Sequence, residues 1–168
     1  MTDGTLETGA VFLQPGEVAF ATSPTVITTV LGSCVAVTMY DPKTRFAAIC
    51  HGQLPHARPD SAQDDYRFVD LAIRRLAEEV DRHGVPRRRV AVKVFGGADV
   101  LISGRNSPEH PSVGMQNAEA ALATLADEHF LVATQVLGGA RGIKLHFHSW
   151  SGEILVKRVA RGQRTGDS

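Results

Sequence analysis

The sequence predicts an α/β (α+β) fold: a single layered domain with a mixed, largely antiparallel sheet and two main helices. Three observations carry that prediction. Runs of β-branched and apolar residues recur around short polar turns, two segments repeat apolar residues at helical spacing, and no internal repeat or low-complexity tract interrupts them. At 168 residues and 43% hydrophobic content, the chain is one domain's worth of polypeptide, long enough to bury a core of its own. Residues 1–168 are therefore read as one domain with its core over about 11–161. The polar, Gly-containing ends, the first ten or so residues and Gly162 to Ser168, are expected to fray.

Each element has a local reason. Glu17-Val18-Ala19-Phe20-Ala21-Thr22 follows the Pro15-Gly16 turn and reads as a short strand. Val35-Ala36-Val37-Thr38-Met39-Tyr40 and Phe46-Ala47-Ala48-Ile49-Cys50 flank Asp41-Pro42-Lys43-Thr44, which makes them a hairpin. From about Tyr66 to His83, apolar Val69, Ala72, Ile73, Leu76 and Val80 form a helical stripe that stops at Gly84, with Pro86 beyond. Arg89 to Phe95 is a strand that breaks at Gly96-Gly97. A loop rich in Gly, Ser, Asn and Pro leads to about Ser112, and the Ala-rich stretch from about Gln116 to Glu128 is the second helix. Phe130 to Leu137 is a strand ending at Gly138-Gly139. Ile143 to His148 and Glu153 to Val159 form a second hairpin around Ser149-Trp150-Ser151-Gly152. Both glycine pairs read as strand-end turns needing positive φ, close approach to a substrate helix being the other reading.

Charge and cysteine content narrow the function classes. Lys and Arg number 18 and Asp and Glu 18, so the chain has no general field for phosphate backbones or anionic lipid. The run Arg87-Arg88-Arg89 reads as a solvated strand entry rather than a nucleic-acid site. No apolar run reaches the roughly 20 residues that cross a bilayer, and Met1-Thr2-Asp3-Gly4-Thr5-Leu6-Glu7 lacks the basic start of a secretory signal. A cytoplasmic protein with no membrane insertion is expected. Two cysteines make no disulfide framework, so each needs another reason to be present: packing, metal or nucleophile.

A tight turn centred between Pro42 and Lys43 places Cys34 directly opposite His51 on one face of the first hairpin, and Cys50 opposite Val35 on the other. Thiol and imidazole so placed are a nucleophile and its base, unless Cys34 is simply a small buried hydrophobe and His51 a core histidine. Leu31-Gly32-Ser33 lets the chain turn just before Cys34. The backbone N–H groups of Cys34 and of neighbouring Gly32 or Ser33 are candidates to lower the thiol pKa and to hold an oxyanion. A zinc site is the alternative chemistry, with His146 and His148 on one strand face and Cys34, Cys50, His51 and His56 as further ligands. Lys144 shares that face, which favours a solvated surface. Asn106 and Gln116 are further candidates for lining a groove, and Trp150 reads as part of a packed turn.

The motifs Thr28-Thr29-Val30-Leu31-Gly32-Ser33-Cys34-Val35-Ala36-Val37, Tyr40-Asp41-Pro42 and His51-Gly52-Gln53-Leu54-Pro55 closely resemble the CheD family, the chemoreceptor glutamine deamidases of bacterial chemotaxis. Lys93-Val94-Phe95-Gly96-Gly97-Ala98, Val113-Gly114-Met115-Gln116-Asn117 and Leu137-Gly138-Gly139 with Gly142 continue the likeness in the family's order, from about residue 16 to 159. The resemblance implies a cysteine hydrolase that turns selected glutamines of methyl-accepting chemotaxis receptors into glutamate, with a fold similar to bacterial toxin deamidases. It places the nucleophile on Cys34, the histidine on His51 and the triad threonine on Thr28, with no cofactor and no metal. It also implies a CheC-type phosphatase as a partner, and a non-catalytic adaptor as the competing function. Two departures stand out: Ile143 where the family has arginine, with Arg141 before Gly142, and Gly52-Gln53 after the histidine, which is expected to alter the groove beside the site.

Overall fold

The computed structural model describes residues 8–99 and 111–159. The chain runs β1 (Gly9–Phe12), β2 (Val18–Ala21), β3 (Thr25–Leu31), β4 (Val35–Tyr40), β5 (Ala47–Gly52), α1 (Val69–Arg82), a 3-10 turn (Arg87–Arg89), β6 (Ala91–Gly96), α2 (Val113–Asp127), β7 (Val132–Leu137), β8 (Ile143–His148) and β9 (Ile154–Arg158). The α+β class and the two helices are as expected. The strands, however, form two sheets, β1-β3-β8-β9 and β2-β5-β4-β6-β7. Among the described strands, β1 with β3 and β6 with β7 pair in parallel and the other pairs are antiparallel, so the arrangement is mixed and largely antiparallel.

Three layers result. Val35, Val37, Met39, Ala48 and Cys50 of the five-stranded sheet pack under Val69, Ile73 and Leu76 of α1 and Leu125 of α2. The other face of that sheet, with Ala36, Ala47, Ile49 and Phe95, packs on Ile27, Leu31, Leu145 and Phe147 of the four-stranded sheet. Strands β4 and β5 are thus buried on both faces, which is why they read as apolar runs without alternation.

The first hairpin has a longer turn than the sequence reading assumed. Tyr40 pairs with Ala47 and Ala36 with His51, so Cys34 is not directly opposite His51. The fixed φ of Pro42 excludes the tight two-residue turn. The chain instead makes one helical turn, in which the Arg45 N–H reaches the Asp41 carbonyl at 2.7 Å, and leaves it through Arg45 at φ 61°. The buried Asp41 carboxylate anchors this turn. It accepts from the Thr44 hydroxyl at 2.6 Å and takes a bidentate contact from Arg89 at 2.8 Å on both oxygens, which holds its carboxyl well below the usual carboxylate range. Arg87 pairs with Asp81 at 2.8 Å, so two of the three consecutive arginines are tied into the fold.

Two strands escaped the sequence reading. β3 has β-branched residues at six of its seven positions, an overt strand signal. β1 begins in the stretch expected to fray and runs into the expected core, pairing with β3, Phe12 beside Thr28. Helix α2 starts three residues earlier than expected, because the Ser112 side chain caps it by accepting from the Met115 N–H at 3.1 Å. Residues 1–7, the loop 100–110 with candidate Asn106, and residues 160–168 lie outside the described residues. Among the described residues no helix is long and apolar enough to cross a membrane.

Candidate active site

Cys34 and His51 keep the shared face that the sequence predicted. The true register differs from the assumed one by two residues, an even number, and side chains alternate with a period of two. Both side chains therefore face the four-stranded sheet as diagonal neighbours, a separation that long side chains bridge. Cys34 lies against the inter-sheet core and is partly exposed. Cys50, opposite Val37, points the other way into the helix-side core, where burial pushes its thiol up to about 12.

His51 is 2% exposed, and its ring bridges the two sheets. Its Nδ1 lies 2.7 Å from Thr29 Oγ1 on β3, and that hydroxyl donates to the Leu13 carbonyl at 2.8 Å. A hydroxyl carries one hydrogen, so with it directed to Leu13 the imidazole must donate Nδ1–H to the threonine. This assigns the tautomer: Nε2 carries the lone pair and makes no hydrogen bond among the described residues. Burial lowers the ring's pKa to about 4, partly opposed by the Leu13 carbonyl and by Glu17. The backbone around the ring is also fixed, with Gly16 N–H to the His51 carbonyl at 2.8 Å and His51 N–H to the Glu17 carbonyl at 3.1 Å.

Thr28 is expected to act through its hydroxyl or its carbonyl, but the hydroxyl is turned away from His51 and the carbonyl accepts from the Leu13 N–H at 2.8 Å. Strand alternation turns the side chain to the outer face of the four-stranded sheet, where its Oγ1 lies 2.9 Å from Nδ1 of His146, its direct cross-strand neighbour. Thr29 has the inward parity, shared with buried Ile27 and Leu31. That apolar i, i+2, i+4 pattern is the sequence signal that would have selected it. His146 and His148 share the outer face with exposed Lys144, and His148 stacks on Trp150 with ring centroids 4.7 Å apart. The candidate zinc ligands are thus divided between the outer sheet face, the inter-sheet core, the helix-side core and, for His56, an exposed position between β5 and α1 beside Asp70. Gln116 uses its amide on the Pro111 carbonyl at 3.0 Å.

The turn before Cys34 is held through its carbonyls. Ala98 N–H donates to Gly32 at 2.9 Å, Asn117 Nδ2 to Ser33 at 2.9 Å and Gly97 N–H to Cys34 at 2.8 Å. No hydrogen bond among the described residues engages the Ser33 or Cys34 N–H, which leaves both for an oxyanion. These donors do not produce the lowered thiol pKa expected from the sequence: burial raises the Cys34 pKa above its ordinary value. Gly96, at φ 106°, is where β6 meets this turn. A Cβ there would stand 2.2 Å from the Cys34 carbonyl oxygen, so the glycine pair serves a turn and its close approach is to the Cys34 segment. Gly52 does not shape a groove, since a Cβ on it would stand 2.6 Å from Val69 Cγ2, inside the α1 contact.

The ionisation states predict a labelling pattern. Native Cys34 is expected to react with iodoacetamide slowly at pH 7, about tenfold faster per pH unit up to pH 9, while Cys50 stays unlabelled. Peptide mass after timed labelling measures this. A plateau already present at pH 7 would contradict a neutral resting thiol.

A thiol and an imidazole with an unprotonated Nε2 on one face, next to unengaged backbone N–H groups, are the components of a cysteine hydrolase acting on an acyl group. The family described as CheD chemotactic sensory transduction matches residues 53–158. A protein of Geobacter sulfurreducens named as a probable chemoreceptor glutamine deamidase CheD 2 is 47% identical over 152 residues, covering 90% of this chain and 91% of that one. A Maridesulfovibrio salexigens protein named as a probable chemoreceptor glutamine deamidase CheD is 34% identical over 157 residues, covering 90% and 92%. Among solved structures, a Bacillus licheniformis hypothetical protein YfiH aligns with a TM-score of 0.41 at 15% identity, over 67% of this chain and 48% of that one. The chain belongs to the CheD family.

Proposed function

We propose that the protein is a cytoplasmic glutamine deamidase of methyl-accepting chemotaxis receptors, with Cys34 as nucleophile and His51 as its general base and acid. The observation that carries this reading is the His51 tautomer, with Nδ1–H tied to Thr29 and an unprotonated Nε2 without a hydrogen bond among the described residues, on a ring that shares the strand face of Cys34. The relatives named above supply the substrate class.

Both groups rest in their neutral forms, so no thiolate–imidazolium pair waits in the free enzyme. As Cys34 Sγ attacks the side-chain amide carbon of glutamine, His51 Nε2 takes the thiol proton. The carbonyl oxygen becomes an oxyanion that the Cys34 N–H, and the Ser33 N–H beside it, hold. The imidazolium is desolvated and therefore a strong acid. It returns the proton to the nitrogen, the C–N bond breaks, and ammonia leaves a glutamyl thioester. Water then attacks the thioester, giving its proton to Nε2. The C–S bond breaks, the thiol recovers the proton, and glutamate departs. The residues need no metal or cofactor for any of these steps. Thr29 with the Leu13 carbonyl keeps the ring in the productive tautomer throughout. A CheC-type phosphatase is the second partner in this reading.

The test is incubation with cytoplasmic fragments of chemoreceptors, followed by peptide mass. Untreated protein is expected to convert selected glutamines to glutamate, and protein alkylated at Cys34 to convert none. Full conversion by the alkylated protein would sink the reading.

A further inference from the structure

We infer that Asn117 is a positioning residue for the reaction, setting the direction of the Cys34 N–H by holding the carbonyl of the residue before it; this rests on Cys34 being the nucleophile. Asn117 is 0% exposed and sits on α2, away from both catalytic strands in sequence. Its Nδ2 donates to the Ser33 carbonyl at 2.9 Å and to the Gln53 carbonyl at 3.1 Å. One amide thus joins the residue before Cys34 to the residue two beyond His51. Both facing groups are acceptors, which fixes the amide with nitrogen toward them and leaves Oδ1 buried without a partner among the described residues.

The geometric consequence follows from the planar trans peptide. The Ser33 carbonyl and the Cys34 N–H belong to one peptide unit and point in opposite directions. Holding the carbonyl toward α2 aims the N–H away from α2, and no described residue accepts it. The carbonyls of Gly32, Ser33 and Cys34 are each held, but the first and third by backbone N–H groups of the β6 turn. Only the middle one depends on a side chain. A bond that merely tied the helix to the sheet would not need to fall on this peptide, nor to leave a buried Oδ1 unpaired.

The experiment compares wild type, Asn117→Ala, Asn117→Asp and Cys34→Ala on a receptor cytoplasmic fragment, with iodoacetamide labelling of Cys34 in parallel. Alkylation displaces iodide and develops no oxyanion, so it reports the thiol and its base but not the N–H. Asn117→Ala is expected to lower kcat about tenfold, with KM and the labelling rate within about twofold of wild type. Asn117→Asp presents a carboxylate to two carbonyl oxygens at pH 7, and only its protonated form can donate. Its kcat relative to wild type should therefore rise as pH falls from 7 to 5. An unchanged kcat in Asn117→Ala, or equal losses in kcat and labelling, would overturn the inference. If Asn117→Ala does not fold, the Asp variant decides: a rising ratio supports positioning and a flat ratio refutes it. Cys34→Ala separates the two ideas. An inactive Cys34→Ala beside a fully active Asn117→Ala refutes only the role of Asn117, whereas an active Cys34→Ala removes the nucleophile on which that role rests.

Discussion

Cys34→Ala is expected to remove glutamine-to-glutamate conversion from a receptor fragment altogether, and His51→Ala to lower kcat by at least about 10³-fold, because without Nε2 the thiol proton has no acceptor. Both variants should fold. Cys34 is partly exposed, and the side-chain hydrogen bond of buried His51 among the described residues is to Thr29 alone. The pH profile tests the lowered pKa of His51. With the free imidazole titrating at about 4, kcat/KM should keep its plateau from about pH 5 to 8 and fall only near pH 4. An acid limb near the ordinary histidine range would show that burial does not lower the His51 pKa in the free enzyme. Stability follows the same group with a defined sign. The folded ring titrates at about 4 against an ordinary 6.5, so between those values the unfolded chain binds the proton and the folded chain does not. Stability from this residue is complete above pH 6.5 and falls by about 3 kcal/mol as pH drops toward 4. His51→Gln should flatten that part of the unfolding curve.

The sequence made some of this legible for reasons that lie in strand geometry. The face shared by Cys34 and His51, and the opposite face for Cys50, depend only on parity, and an even slip in register preserves parity. The register itself depends on the turn. Pro42 signalled that a tight turn was unavailable, but the stop at Arg45 rests on the Asp41 carboxylate and its partner Arg89, 48 positions away. The second sheet was not read because β1 and β3 were not recognised, and β3 carries Thr29. The amide of Asn117 could not be placed from one sequence, since its two acceptors lie 84 and 64 positions away and are backbone atoms. A backbone acceptor leaves no mark on residue type.

Thr29→Val is expected to lower kcat about 10²-fold, while Thr28→Val stays within about threefold of wild type. The two threonines are adjacent, have the same composition, and each lies within 3 Å of a histidine Nδ1, Thr29 at 2.7 Å from His51 and Thr28 at 2.9 Å from His146. Alternation along β3 sends them to opposite faces, and only Thr29 reaches the ring beside Cys34. Valine keeps the shape of threonine and removes the hydroxyl. In Thr29→Val, Nδ1 then loses its acceptor and the Leu13 carbonyl its donor. The tautomer with the proton on Nε2 becomes accessible, and that tautomer cannot accept a proton from the thiol. The unpaired Leu13 carbonyl should also cost about 1–3 kcal/mol of stability. Thr29→Ser restores the hydroxyl and should recover most of kcat, which a loss through general loosening would not. In Thr28→Val the contact removed is on the outer face, so the ring of His51 is unaffected. The resemblance to the family pointed to Thr28, and the pair of variants decides between the two. If Thr28→Val is the slow one and Thr29→Val is not, the hydrogen bond between the sheets is structural and the third member of the triad acts from the outer strand face.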